Sequence, residues 1–213
     1  MQWNTIYKEE GKSYRYYSIE KPHRDLGRVI GVFKRNKIRR VLDLGCGAGR
    51  NLVPLAESFD AYGTDLSKEG LKLAKEALDK KGRKATLKQA DMFGKLPFKD
   101  GFFDGLVCVQ ALQHGKKGQI MKAIGEIKRV LSPNGLVFVT LSGRISEGKV
   151  RYLLVKTAKR IAPHTYVPTL GNEAGLVHFI YTKKLIFEHF RSFSIDTLWK
   201  DERDYYCFIA RRF

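Results

Sequence analysis

The chain has 213 residues, with 40 Lys and Arg against 22 Asp and Glu, a formal net charge of +18. Hydrophobic residues make up 43% and aromatics 12%, which excludes wholesale disorder, and no apolar run approaches the roughly 20 residues that span a bilayer. Three cysteines with no paired spacing and a first ten residues without an apolar stretch point to a cytoplasmic protein with no metal centre, no disulfide framework and no membrane partner.

Pro22 opens a helical pattern with Leu26, Val29, Ile30 and Phe33 on one face, closed by the basic run 34–40. Strands are expected at Val41–Leu44, Ala61–Thr64, Ala85–Ala90, Phe103–Val109 and Leu136–Leu141. Between them the periodicity predicts helices at Asn51–Ser58, Lys68–Lys80 and Gly118–Leu131. Strands alternating with helices of this length mean an α/β fold around a mostly parallel sheet. A further helix is expected over Ile145–Ala162, with Val150, Leu153, Leu154, Thr157 and Ile161 on one stripe. Lys149, Arg151, Lys156, Lys159 and Arg160 surround that stripe. After a loop with Pro163, Pro168, Gly171 and Gly175 come a short helix, Lys183–Phe190, and two strand-like runs, Phe193–Trp199 and Tyr205–Ala210. That hairpin fits an antiparallel edge, so one domain over residues 1–213 is expected.

The segment Val41-Leu42-Asp43-Leu44-Gly45-Cys46-Gly47-Ala48-Gly49-Arg50-Asn51 runs a buried strand into three alternate glycines and then a helix. Glycines there permit positive φ and close approach of a ligand, and the helix N-terminus offers free N–H groups. The loop alone also suits a dinucleotide enzyme. Asp43, at the end of the first strand, is placed to accept hydrogen bonds from a ligand ammonium. Asp65 ends the second strand, where an acid grips the two hydroxyls of a ribose or caps the next helix, a role Ser67 can also fill. Asp91 ends the third, with Met92 beside it as an apolar floor for an adenine. Three acids at three consecutive strand ends, with the glycine loop between the first two, form one constellation.

On these residues the chain resembles the class I S-adenosylmethionine-dependent methyltransferases. The resemblance spans residues 38–142 and includes Phe103-Asp104, Ala111-Leu112-Gln113-His114 and Leu131-Ser132-Pro133-Asn134-Gly135. It implies a single doubly wound, seven-stranded sheet ordered 3-2-1-4-5-7-6, with strand seven antiparallel and helices on both faces. The cofactor it implies is S-adenosylmethionine, released as S-adenosylhomocysteine, with no metal. Carried over, Asp43, Gly45, Cys46, Gly47 and Gly49 line the methionine moiety, Asp65 and Leu66 the ribose, Asp91 and Met92 the adenine. Val109 and Gln110 stand beside the methionine tail; relatives often have Asn at the Val109 position, so here only its backbone carbonyl could serve. Residues 1–37 become an N-terminal arm or lid and helix, 38–142 the cofactor core, and 143–213 the substrate-side helix, loop and hairpin.

Trp3, Tyr7, Tyr14, Tyr16 and Tyr17 precede the core, either as part of a lid or packing the arm onto the sheet. His114 is the first candidate for a general base, with Tyr14 and Tyr17 behind it; the alternative for His114 is a helix-cap or core histidine. The stretch from Gly175 to Leu185 is read as a trait of the fold and not a substrate code. A small-molecule methyl acceptor is expected. RNA or a ribosome-associated substrate is the alternative, with Lys149, Arg151, Lys156, Lys159 and Arg160 tracking a polyanion. Val109-Gln110-Ala111-Leu112 stands where methylases of exocyclic nitrogens have Asn-Pro-Pro-Tyr or Asp-Pro-Pro-Tyr. A third reading is a non-enzymatic cofactor-binding protein that serves as a nucleic-acid-binding or regulatory partner.

Overall fold

The computed structural model describes residues 2–10, 21–146, 149–150, 157–171 and 173–213. In chain order its elements are α1 (Gln2–Glu10), α2 (Leu26–Arg35), β1 (Arg40–Leu44), α3 (Leu52–Ala56), β2 (Asp60–Asp65), α4 (Lys68–Lys80) and β3 (Thr86–Gln89). There follow β4 (Phe103–Val109), α5 (Lys117–Val130), β5 (Leu131–Leu141), β6 (Ile145–Ser146), β7 (Lys149–Val150), β8 (Ala158–Ala162) and β9 (Thr165–Pro168). The chain continues through β10 (His178–Phe179), α6 (Lys183–His189), β11 (Phe193–Lys200) and β12 (Tyr206–Arg212).

One seven-stranded sheet has the order β3-β2-β1-β4-β5-β12-β11. β1 to β5 pair in parallel, and β12 runs antiparallel to both β5 and β11. This is the 3-2-1-4-5-7-6 order with strand seven reversed. Leu42, Leu106 and Val107 are fully buried because helices cover both faces of the sheet, which is why these strands read as unbroken apolar runs. On one face Ile120, Ile124 and Ile127 of α5, with Ile186 of α6, pack on Leu42, Leu44 and Leu106. On the other, Val29 and Phe33 of α2, Leu52 of α3 and Leu78 of α4 pack on Val41, Val107 and Phe138. α4 begins where its cap dictates: Ser67 Oγ accepts a hydrogen bond from Gly70 N.

Where the segment expected as a helix over 145–162 is described, at 145–146, 149–150 and 158–162, it is strand instead. Ile145 pairs with Val150 and Ser146 with Lys149, while β8 runs antiparallel to β9 in a three-stranded sheet with β10. Residues 147–148 and 151–156, including Arg151, Leu153, Leu154 and Lys156, lie outside the described residues. Ile145, Val150, Thr157 and Ile161 are β-branched and lose side-chain freedom in a helix, which tips a mixed pattern toward strand. His164, at φ +59°, then reverses the chain so that β9 can pair back on β8.

The terminal hairpin is tied to the segment before α2. Trp199 Nε1 donates to Asp25 Oδ2 at 2.9 Å. His23 Nδ1 accepts from Asp25 N, so Nε2 carries the hydrogen that meets Asp201 Oδ2 at 3.2 Å. Asp201 Oδ1 accepts from Arg203 N and Tyr205 N, shaping the β11–β12 turn. His23, Asp25 and Cys207 bring ligand-type atoms within 4.8 Å of one another, but each is already hydrogen-bonded. Cys46, Cys108 and Cys207 are buried free thiols whose pKa values burial raises, Cys108 to about 12. No helix among the described residues is long and apolar enough to cross a membrane.

Candidate active site

A cavity of about 330 Å³ opens at the carboxyl ends of β1, β2 and β4, where parallel sheets place their ligands. Its floor is the glycine loop after β1. The amides of Gly45 and Cys46 both donate to Thr64 O of β2, at 2.8 and 2.9 Å, which turns the loop sharply over the sheet. Gly45 has φ +77°, and a Cβ there would lie 2.7 Å from Ala111 Cβ and 2.8 Å from Met92 Cε. The backbone therefore comes into a slot that any side chain would fill. Gly49, at φ +85°, serves the packing instead. A Cβ there would lie 3.0 Å from Ala74 Cα and Cβ, so this glycine brings the loop against α4.

Asp65 fixes both neighbours of the strand end. Its Oδ2 accepts from Gly47 N and its Oδ1 from Ser67 N, each at 2.8 Å. Burial raises its pKa, opposed by the amides of Ser67, Gly47 and Leu66. Asp91 is exposed on the rim, and its Oδ1 accepts from Phe93 N at 2.9 Å. Gln110 sits at φ +55°, a conformation uncommon for a side-chain-bearing residue; its N donates to Thr140 Oγ1, and its Oε1 accepts from Arg50 Nη2 at 2.7 Å.

Of the expected cofactor residues, Gly45, Cys46, Gly47, Asp65, Leu66, Asp91, Met92, Val109 and Gln110 all line this one cavity. Asp43 and Gly49 stand outside the wall. Asp43 is 1% exposed, and its Oδ2 has no hydrogen-bond partner among the described residues. Burial pushes its carboxyl up to about 7, with Arg50 opposing and Asp65 reinforcing the shift.

α1 closes one side. Asn4 Oδ1 accepts from Ser67 Oγ and Glu69 N, clamping the helix onto the start of α4. Tyr7 lies against Gly47 and Gly70, and its phenol is raised far above the ordinary range by burial and by Asp65. Trp3 and Tyr7, named from the sequence as lid or packing residues of the arm, line the cavity. Arg50, Thr64 and Phe93 also belong to the wall, as do Gly175, Leu176 and Val177. The stretch from Gly175 is therefore part of the site as well as of the fold.

His114 lines the cavity in a short 3₁₀ turn, Leu112–His114. Its Nδ1 is 3.2 Å from Val177 O, and desolvation lowers its pKa to about 4. Tyr14, Tyr16 and Tyr17 lie outside the described residues. Lys159 and Arg160 are exposed on β8, and the side chains of Lys149, Arg151 and Lys156 are outside the described set.

Residues 41–135 match the family described as "Methyltransferase domain". An uncharacterized methyltransferase of Bacillus subtilis, YcgJ, is 30% identical over 132 residues, covering 62% of this chain and 51% of the relative. Demethylmenaquinone methyltransferase of Thermus thermophilus is 31% identical over 115 residues, covering 53% of this chain and 51% of the relative. The chain thus spans about half the length of these curated relatives. The crystal structure of PH0226 protein from Pyrococcus horikoshii superposes with a TM-score of 0.71 at 20% identity, over 95% of this chain and 99% of the other.

Proposed function

We propose that the chain is a class I S-adenosylmethionine-dependent methyltransferase and that it transfers a methyl group from S-adenosylmethionine to a small-molecule nucleophile, a reading supported by the matched methyltransferase domain, the curated relatives and the shared fold. The observation that carries this reading is the convergence of the glycine loop, Asp65 and Asp91 on one cavity. The residues present fit the cofactor. Thr64 Oγ1, on the wall, and Asp43 Oδ2, behind it, are buried polar atoms without a partner among the described residues, as expected where a polar ligand completes the set.

Asp65 would hold the ribose through the lone pairs its two amide contacts leave free. Asp91 and Met92 would hold the adenine, and Asp43 would balance the ammonium of the methionine tail. When bound, the cofactor supplies a methyl group on an already activated sulfonium. What remains for the protein is alignment and exclusion of water, to which Tyr7 and α1 contribute by covering the loop. At about 330 Å³ the cavity sits at the lower end of ligand pockets, roughly 300–1,000 Å³, a size that the cofactor alone would largely fill. The Thermus relative is named for one small-molecule acceptor, demethylmenaquinone.

Transfer of labelled methyl groups to fractionated cell extract tests this reading. Label is expected in the small-molecule fraction. Label in RNA would instead favour the polyanion reading of Lys159 and Arg160, and absence of transfer together with absence of S-adenosylhomocysteine binding would remove the enzymatic one.

A further inference from the structure

One group of wall residues is held together by its own contacts. The Trp3 ring meets His114 edge-on at 4.9 Å, and Trp3 packs with Ile6 and Leu176. Phe93 lies against the residue after His114, since a Cβ on Gly115 would fall 2.6 Å from its ring. His114 is bonded to Val177 O. No side chain of this group is ionised at neutral pH. The charged members of the wall are bonded elsewhere: Arg50 to Gln110, Asp65 to Gly47 and Ser67, Asp91 to the amide of Phe93. An anionic acceptor seated against this group would lose its hydration and find no cationic side chain within the group, the wall's one cation among the described residues, Arg50, being turned to Gln110.

The tautomer of His114 follows from its partner. A carbonyl oxygen only accepts, so Nδ1 carries the hydrogen toward Val177 O, and Nε2 is left with its lone pair. Nε2 is buried and has no hydrogen-bond partner within normal distance among the described residues, although the Gln110 backbone also acts on the ring. The group therefore offers apolar and aromatic surface, with the Trp3 indole N–H as a donor and His114 Nε2 as its one unpartnered side-chain acceptor among the described residues.

We propose that the methyl acceptor is a small, neutral, apolar molecule that donates one O–H or S–H hydrogen to His114 Nε2, an inference that rests on the methyl-transfer reading above. The acceptor's oxygen or sulfur forms the bond to the methyl carbon, the carbon–sulfur pair of the donor stays with its sulfur, and the acceptor's hydrogen passes to Nε2. Burial makes this imidazole a weak base, with a pKa of about 4, but an alkylated hydroxyl or thiol is strongly acidic and gives up its proton readily. An aliphatic amine would arrive protonated and would keep a proton against so weak a base. His114 thus selects the acceptor through the hydrogen it receives.

Calorimetric titration with single-ring probes tests this, run with and without saturating S-adenosylhomocysteine. p-Cresol and benzyl mercaptan donate a hydrogen; 4-methylanisole has the shape of p-cresol without it; p-toluate and 4-methylbenzylamine carry charge. The expected result is that p-cresol or benzyl mercaptan binds at least about tenfold more tightly than 4-methylanisole, with no measurable binding of the charged pair. His114→Leu should erase the tenfold preference, and His114→Gln, which keeps both a donor for Val177 O and an acceptor, should restore part of it. Equal binding of p-cresol and 4-methylanisole, preference for p-toluate, no binding of any neutral probe, or an unchanged preference in folded His114→Leu would each overturn the proposal. S-Adenosylhomocysteine titrated alone reads the cofactor assignment separately: its failure to bind removes the methyl-transfer reading, while the probe series still decides what this part of the cavity accepts.

Discussion

Asp65→Ala should lose cofactor binding and stability together. Each oxygen of the Asp65 carboxylate holds one amide, Gly47 N in the glycine loop and Ser67 N at the start of α4. Removing it leaves both without their acceptor, at about 1–3 kcal/mol for each group that water cannot reach. The ribose hydroxyls lose their partner as well, and the loop that frames the cavity is no longer pinned. The expected outcome is a loss of about 2–4 kcal/mol in urea unfolding and a fall on the order of 100-fold in S-adenosylhomocysteine affinity by calorimetry. Ser67→Ala is the comparison: it removes the cap of α4 and one of the two hydrogen bonds that hold Asn4, costs about 1 kcal/mol and, with the carboxylate still in place, should lower affinity far less than Asp65→Ala. Wild-type affinity in a folded Asp65→Ala variant would show that this carboxylate serves the loop alone.

Asp43→Asn should reverse part of the pH dependence of stability. Burial raises the folded-state pKa of Asp43 from 3.8 to about 7. A carboxyl with a raised native pKa binds more protons folded than unfolded, so stability falls as pH rises from about 4 to about 7 and is level above that. At 1.36 kcal/mol per unit, the wild type should lose on the order of 3 kcal/mol between pH 5 and pH 8 through this group, and the Asn variant should not. The variant is therefore expected to be the more stable protein at pH 8 and the poorer binder of S-adenosylhomocysteine, because a neutral amide cannot balance an ammonium. Urea unfolding of both proteins at the two pH values measures it; parallel pH profiles would sink the assignment.

The βα core was legible because its signals are local. Lys68–Lys80 begins at a serine cap and presents Ala74 and Leu78 at helical spacing, and the helix occupies those same residues. β4 is apolar along its length because both its faces are covered, and Phe103–Val109 is the strand predicted. The site was legible where strand ends and glycines announce it. It was not legible where distant segments meet: Arg50 bonds Gln110 across 60 residues of chain, and His114 bonds Val177 across 63. Nothing in the run from Gly175 to Val177 marks a cavity wall. The 145–162 segment misled because its apolar stripe fits a helix, while its β-branched residues and the return of the chain at His164 fit strands better. α1 was missed because nine residues stabilise no helix alone; it exists by docking Asn4 on α4 and Tyr7 on the glycine loop.

The three buried thiols give the molecule internal clocks. An alkylating reagent consumes the thiolate, and burial keeps each of these sulfurs protonated and shielded. Cys108 and Cys207 can react only during the moments when their surroundings come apart, so each of those labelling rates measures the free energy of one opening, while Cys46, on the cavity wall, reads access to the cavity. Cys108 times the middle of the sheet, and Cys207 the strand clamped to the segment before α2. Two rates from one unaltered chain thus rank which of those parts loosens first.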